Sequence, residues 1–377
     1  MCSRGRRALL FRAGPHFCSF ADSPSPQYTQ VEFFAHWNRR SALERSAALH
    51  DDQSVRRSNA HAAPMTRWYQ HGYHTPISHR LVFGIIPWVP KFLHPPIALL
   101  TAFIFFCLLG KERRALLSNL KRIYCGTVFS RLWKAYWVFY SFCDFMVAYC
   151  YVPQASHADL LGMLTHSYDG QSTIDSCLRE GNGLIVWTAH LGNWEFASRL
   201  LEMHDRPVNV ARVVEHGNPA ERVLRDLMTN PLLRIVQLND DPMAPLKLLH
   251  ALRSNEIVAI QGDRVYQPFT ARSRFFGAQT PFPMGPFLLS YVSGAPIMPG
   301  FVVREGWLRY RVITGKPIYL PHTGNRDRDL EAGLEQAVRL LEDAVREYPD
   351  QWLNFYEFWK EDAVQSAGAT EDMVVHG

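Results

Sequence analysis

Leu184-Ile185-Val186-Trp187-Thr188-Ala189-His190-Leu191-Gly192-Asn193-Trp194-Glu195 carries the chain from one kind of structure into another. Leu184–Ala189 is a short, largely apolar run entered through the turn Gly181-Asn182-Gly183, which predicts a buried strand. Gly192 has a free backbone and Asn193 is a helix N-cap residue, so a helix follows near Glu195–Met203. Outward from there the alternation continues. Pro207–Val214, Glu256–Gln261, Ile297–Val303 and Trp307–Thr314 read as strands. Ala220–Met228, Ala244–Arg253 and Pro286–Val292 read as helices, as does Arg328–Arg346, with Leu330, Leu334, Val338, Leu341 and Val345 on one face. Strands interleaved with helices predict an α/β fold with a largely parallel central sheet flanked by helices.

Toward the N-terminus the pattern is different. Leu81–Leu109 is apolar but broken by prolines, and its clean part, Ile97–Leu109, is 13 residues. That is ~20 Å as helix, short of the ~30 Å hydrocarbon core. Lys111, Arg113, Arg114, Lys121 and Arg122 follow. A buried core helix is one reading. The preferred one is a short span or re-entrant anchor whose basic flank meets anionic headgroups and leaves the remainder in the cytoplasm. In Trp133–Tyr151, Trp133, Trp137, Tyr140 and Asp144 share one helical stripe, as core or as the wall of a lipid groove.

The expected organisation is a disordered leader or mis-set start at 1–64, a membrane-associated helical region at 65–150, an α/β catalytic domain at 151–360 and a disordered tail at 361–377. Residues 1–64 carry nine Arg and five acids with little periodicity, a composition also found in transit peptides, and Met65 opens the more coherent stretch.

The bulk numbers exclude several classes. At 377 residues, 47% hydrophobic and 13% aromatic, the chain is not a disordered one. A mean hydropathy of −0.15 argues against a polytopic membrane protein. Its net charge of +5 is too small to imply nucleic acid. The seven Cys form no CxxC and no zinc-type ladder, and Cys107, Cys143 and Cys150 lie in apolar stretches, as in a reducing compartment. No GxSxG, P-loop, HExxH or strand-borne GxGxxG occurs, so neither a metal nor a cofactor is expected.

What remains is a His with an acid five residues on. The pattern occurs three times: His190 with Glu195, His216 with Glu221, and His322 with Asp327. His322 lies in a polar loop. His216 follows a strand that carries Asn209 and Arg212, and Pro219 restricts its turn. His190 follows the more apolar strand, at the carboxyl end where α/β sheets place ligands. Five residues of helix turn through ~500°, so His190 and Glu195 meet only with His190 in the loop and Glu195 in the first turn. A carboxylate on one imidazole nitrogen then fixes the tautomer and leaves the other as general base. A purely structural pair fits the same spacing.

His190-Leu191-Gly192-Asn193-Trp194-Glu195 after an apolar strand resembles the late acyltransferases of lipid A biosynthesis, within the wider HxxxxD/E acyltransferases. The resemblance runs from about Met65 to Lys360. It includes Asn119-Leu120 with Ile123-Tyr124, Val210-Ala211-Arg212 with Asn218-Pro219, Gln261-Gly262-Asp263-Arg264, Phe275-Phe276-Gly277, Pro283-Met284-Gly285-Pro286, Ser293-Gly294-Ala295-Pro296-Ile297 and Tyr348-Pro349-Asp350-Gln351-Trp352. It also assigns His216 to a connecting loop. It implies transfer of a fatty acyl chain from acyl carrier protein or coenzyme A to a hydroxyl or amine of a membrane glycolipid, at the cytoplasmic face of a bacterial inner membrane. His190 and Glu195 would be catalytic. Arg212 and Arg264 would grip phosphate, with Asp263 orienting Arg264 or the acceptor, or capping its turn. Asn193 would help bind substrate, and backbone N–H near Gly277 would serve the oxyanion. Phe275, Phe276, Phe282 and Phe287 would wall an acyl groove or pack as core.

After Trp352 the chain reads Leu353-Asn354-Phe355-Tyr356-Glu357-Phe358-Trp359 where the family typically shows a histidine and paired arginines. Around Gln261–Arg264 it also lacks the family's fuller acidic sequence. Both departures bear on the acceptor more than on the chemistry. The alternatives are a lysophospholipid acyltransferase and a non-catalytic lipid-binding protein.

Overall fold

Strand β1 (Leu184–Thr188) is buried at every position and lies inside a six-stranded sheet. The computed structural model describes residues 86–166, 168, 170–213, 232–239, 241–266 and 269–359. The other strands of this sheet are β2 (Val208–Arg212), β3 (Leu233–Gln237), β4 (Ile257–Gln261), β7 (Ile297–Gly306) and β8 (Arg309–Thr314), in the order β3-β2-β4-β1-β7-β8. All neighbours pair in parallel except β7 and β8, which form an antiparallel edge. A separate hairpin joins β5 (Thr270–Phe275) to β6 (Ala278–Pro283).

The largely parallel sheet is the expected one. Two parts of the strand inventory were not anticipated. In β3 the apolar positions are interrupted by Arg234, and in β5 Arg272 and Arg274 project outward between inward residues. Neither presents the apolar run that marks a buried strand. The expected helix Ala220–Met228, His216 with Glu221, Asn218-Pro219, the leader 1–64 and the tail 361–377 all lie outside the described residues.

The described N-terminal part is helical: α1 (His94–Leu108), α2 (Gly110–Ile123), α3 (Val128–Ala148), α4 (His157–Gly162) and α5 (Gly170–Arg179). Lys91–Leu108 is long and apolar enough to cross a membrane, at 18 residues and a mean hydropathy of 1.7. Helix α1 packs along α3 through its small residues, with Ala98 and Ala102 buried, while Ile97, Leu100, Phe103, Ile104 and Leu108 face outward. Its outer surface is therefore not part of the protein's own core.

Four more helices complete the described part: α6 (Trp194–Leu201), α7 (Ala244–Arg253), α8 (Gly285–Ser293) and α9 (Arg326–Glu347). In α9, Leu330, Leu334, Val338, Leu341 and Val345 are buried, as their spacing predicts. The segment after α9 runs back under the sheet's carboxyl edge and is tied to α2 by Asn119. The Asn119 amide donates to the carbonyls of Asn354 (3.1 Å) and Tyr356 (2.8 Å) and accepts from the Phe358 N–H (3.0 Å). Leaving these buried backbone groups without a partner is costly. Asn119→Ala is expected to destabilise the protein by roughly 2–4 kcal/mol in urea denaturation, with an unchanged denaturant slope.

Candidate active site

His190 and Asp263 stand together because of strand register. Strands β1 and β4 pair in parallel with Thr188 opposite Gln261, so each residue projects two positions beyond the same rung. The ladder continues for one more bond, from the Gly262 N–H to the Thr188 carbonyl (2.8 Å). Position 262 has to be glycine, because a Cβ there would lie 1.8 Å from the Trp187 indole nitrogen. Beyond the ladder, Asp263 Oδ1 is 2.7 Å from His190 Nδ1, and Oδ2 accepts the His190 backbone N–H at 3.1 Å.

The last described segment completes this arrangement. Trp352 Nε1 (3.1 Å) and Asn354 Nδ2 (3.2 Å) both donate to Asp263 Oδ2, and the Leu353 N–H donates to the His190 carbonyl (2.8 Å). Trp194 stands edge-on to the imidazole at 5.3 Å. The loop turns at Gly192, where φ is +68° and a Cβ would lie 1.9 Å from the Val302 carbonyl oxygen. The N–H groups of Gly192 and Asn193 are already given to the carbonyls of Gln351 (3.0 Å) and Val302 (2.7 Å). They are occupied by the scaffold and do not serve as oxyanion donors.

Burial and the nearby Arg264 charge push the His190 imidazole down to about 4, against the opposing pull of Asp263. Burial alone would raise the Asp263 carboxyl. Its contacts with His190 and Trp352 and the charge of Arg264 outweigh that and hold it below the usual carboxylate range. At neutral pH the pair is thus an ionised carboxylate accepting from Nδ1–H of a neutral imidazole. Nε2 is then the basic nitrogen, which is the state a general base requires.

This corrects the expectation for Glu195: the carboxylate on Nδ1 is that of Asp263. Glu195 sits in the first turn of α6, as expected, but its charged partner is Arg212 at 4.0 Å, and the charges of both act on the buried Tyr149 hydroxyl. Arg264, expected to grip phosphate, is buried. Its Nε donates to Asn354 Oδ1 and its Nη2 to the Leu353 carbonyl, each at 2.8 Å, so it secures the segment that secures Asp263. Asn193 caps α6, accepting the Phe196 N–H at 3.0 Å, and its amide reaches the Tyr310 hydroxyl at 3.3 Å. Both ends of that side chain are engaged within the protein.

Gly277 lies in the two-residue turn of the β5–β6 hairpin, with φ of +81°, and is not among the described contacts of His190. Phe275, Phe282 and Phe287 are buried core, and Phe275 packs against Trp352 at 5.8 Å. Among the described residues no group of three His, Cys, Asp or Glu side chains is placed to hold a metal ion. Sequence reasoning missed Trp352 and Asn354 as partners of the site, although the Asp350-Gln351-Trp352 stretch had drawn notice. Equal two-residue overhangs after two apolar strands were the available signal for pairing His190 with Asp263.

Residues 82–361 match the bacterial lipid A biosynthesis acyltransferase family. The chain belongs to that family. It is also 26% identical over 157 residues to the phosphatidylinositol mannoside acyltransferase of Mycobacterium tuberculosis, in strain CDC 1551 / Oshkosh and in strain ATCC 25618 / H37Rv. That alignment covers 41% of this chain and 49% of each relative, so the chain spans about half the length of the curated relatives it matches.

For a member of an acyltransferase family, the geometry ranks the two carboxylates. Asp263→Asn is expected to lower kcat by roughly 10³–10⁴-fold, because the amide favours the wrong tautomer. Glu195→Gln is expected to cost roughly tenfold or less, since it weakens the hold on Arg212 and leaves the Asp263–His190 contact in place. Steady-state kinetics on the two variants checks the order, and an equal or reversed loss contradicts it. The depressed imidazole predicts the pH profile as well. Protonation removes the base, so kcat/KM should stay flat through the ordinary histidine range and fall only as the pH approaches about 4. Arg264→Gln removes a charge that opposes protonation, and should move that acid limb upward, toward the ordinary imidazole value of 6.5.

Proposed function

We propose that the chain transfers a fatty acyl group from an acyl thioester to a hydroxyl of a membrane glycolipid, with His190 as general base and Asp263 as the group that orients it. The observation that carries this reading is the buried Asp263–His190 contact at the carboxyl ends of adjacent parallel strands. Nε2 takes the proton of the acceptor hydroxyl as its oxygen attacks the thioester carbonyl. The tetrahedral intermediate collapses, the carbon–sulfur bond breaks, and the thiolate leaves and takes up the proton from the imidazolium. Asp263 stabilises the transient positive charge on the ring. Acyl carrier protein or coenzyme A would bring the donor. Neither Ser nor Cys is needed as nucleophile, because the acceptor itself attacks.

The glycolipid acceptor is favoured over a plain lysophospholipid because the family and the relatives are named for sugar-bearing lipids. Membrane access is supported by the outward apolar face of α1 together with Lys91, Lys111, Arg113 and Arg114 around its ends. On this reading the helix lies along the cytoplasmic face of a bacterial inner membrane rather than standing apart from the protein, since its small-residue face is taken by α3.

His190→Ala is expected to abolish acyl transfer, with circular dichroism and lipid binding unchanged. Transfer at the wild-type rate in that variant removes His190 as the base. Lipid mass spectrometry of a deletion strain should show a glycolipid species lacking one acyl chain, restored by the wild-type gene and not by the His190→Ala gene.

A further inference from the structure

Beside the segment that holds His190 is a cavity of about 580 Å³. It is lined by Trp133, Lys134 and Trp137 from α3, Arg304 and Glu305 from β7, and Glu347, Tyr348, Asp350 and Gln351 from the end of α9 and the segment after it. Two features set its chemistry. The first is aromatic: Trp133 and Trp137 meet at 5.7 Å in an edge-to-face pair that continues to Tyr140 at 4.9 Å, and Trp133 is 55% exposed. The stripe expected on this helix is therefore present, and its upper end opens to the cavity rather than into core.

The second is electrostatic. Lys134 pairs with Asp350 at 2.9 Å, Arg304 with Asp144 at 3.3 Å, and Arg311 reaches both Glu347 (3.2 Å) and Glu305 (3.9 Å). Two cations and three carboxylates line the cavity, and each of them is engaged in one of these ion pairs, so none stands ready for an ionic ligand. A wall of paired donors and acceptors beside exposed aromatic faces suits a neutral ligand that is rich in hydroxyls on its rim and has C–H groups on its faces. A pyranose ring has that character.

The cavity is also coupled to the reacting centre through the backbone. Gln351 accepts the Arg304 N–H (2.7 Å) and donates to the Arg304 carbonyl (2.8 Å), while its own carbonyl holds the Gly192 N–H (3.0 Å). One residue further on, Trp352 donates to Asp263. Two residues before Arg304 on the same strand, the Val302 carbonyl holds the Asn193 N–H. The same two chain segments thus form the wall of the cavity and the brace of the His190 loop.

We propose that this cavity is a carbohydrate subsite, which seats a sugar ring of the acceptor against Trp133 and Trp137 while the attacking hydroxyl is presented to His190. The subsite rests on the glycolipid acyltransfer reading, and it makes the sugar, not the lipid tails, the part of the acceptor that is recognised.

The test uses the full chain and two readouts. In saturation-transfer NMR, methyl α-D-mannopyranoside and N-acetylglucosamine are each expected to bind through their ring C–H groups. Trp133→Ala and Glu347→Gln should each weaken that binding roughly tenfold, and His190→Ala should leave it intact. In kinetics with phosphatidylinositol mannoside as acceptor, Trp133→Ala should raise KM roughly tenfold with kcat within about twofold. No sugar binding to the wild type, or undiminished binding to both cavity variants, overturns the subsite. Displacement of the sugar by glycerol 3-phosphate at lower concentration overturns it in favour of an anionic headgroup. Sugar binding lost in both variants, in a protein that acylates no acceptor, upholds the subsite and refutes the acyltransfer reading.

Discussion

An ionised carboxylate inside a protein survives only where donors surround it, and Asp263 is such a group. Taking it out of water costs several kcal/mol unless hydrogen bonds replace the lost hydration. Four donors do so: the backbone and Nδ1 of His190, the indole of Trp352 and the amide of Asn354. They come from two regions separated by about half the described chain. The carboxylate is therefore a junction, and the loop after β1, the turn after β4 and the segment after α9 have to be in place together for it to be stable.

That segment in turn depends on the helical N-terminal part. Asn119 of α2 holds its carbonyls, and Phe139 and Phe142 of α3 pack on Phe355 at 5.3 and 5.6 Å. Helix α3 also reaches the sheet through the Asp144–Arg304 pair. Helix α1 is attached to α3 in its turn, so an apolar surface, a buried charge and an aromatic-lined cavity share one supporting helix. A disturbance at the outer face of α1 has a short mechanical path to the base.

Much of this was legible in the sequence, and the physical reason differs from one part to the next. The strand before His190 was readable because burial on both faces demands an unbroken apolar run, and α9 because its apolar residues keep a helical period. Strand β3 and the β5–β6 hairpin were not, since edge and surface strands carry arginines that break the run. At the site, spacing along the chain named Glu195, whereas the actual partner of Nδ1 is set by register between two strands that are 73 residues apart at His190 and Asp263. Arg264 misled for a related reason. A guanidinium next to an acid reads as a phosphate clamp when exposed, and only its burial against Asn354 and Leu353 reveals a brace.

The brace also sets the acid–base character of the site. Burial does most to keep the imidazole neutral, while Asp263 draws it toward its charged form. Arg264 sits close enough to oppose that, and the same positive charge favours the ionised form of Asp263. Burial and this one cation together thus keep the imidazole neutral beside an ionised Asp263, the combination that base catalysis needs. The cost is a weaker base, because a lowered pKa reduces the driving force for taking the acceptor proton. That cost is smallest when the proton moves only as the new ester bond forms, since the hydroxyl then becomes far more acidic than in the free acceptor. A site built this way favours concerted attack over prior deprotonation, and so it depends on an acceptor held firmly in place before the proton moves.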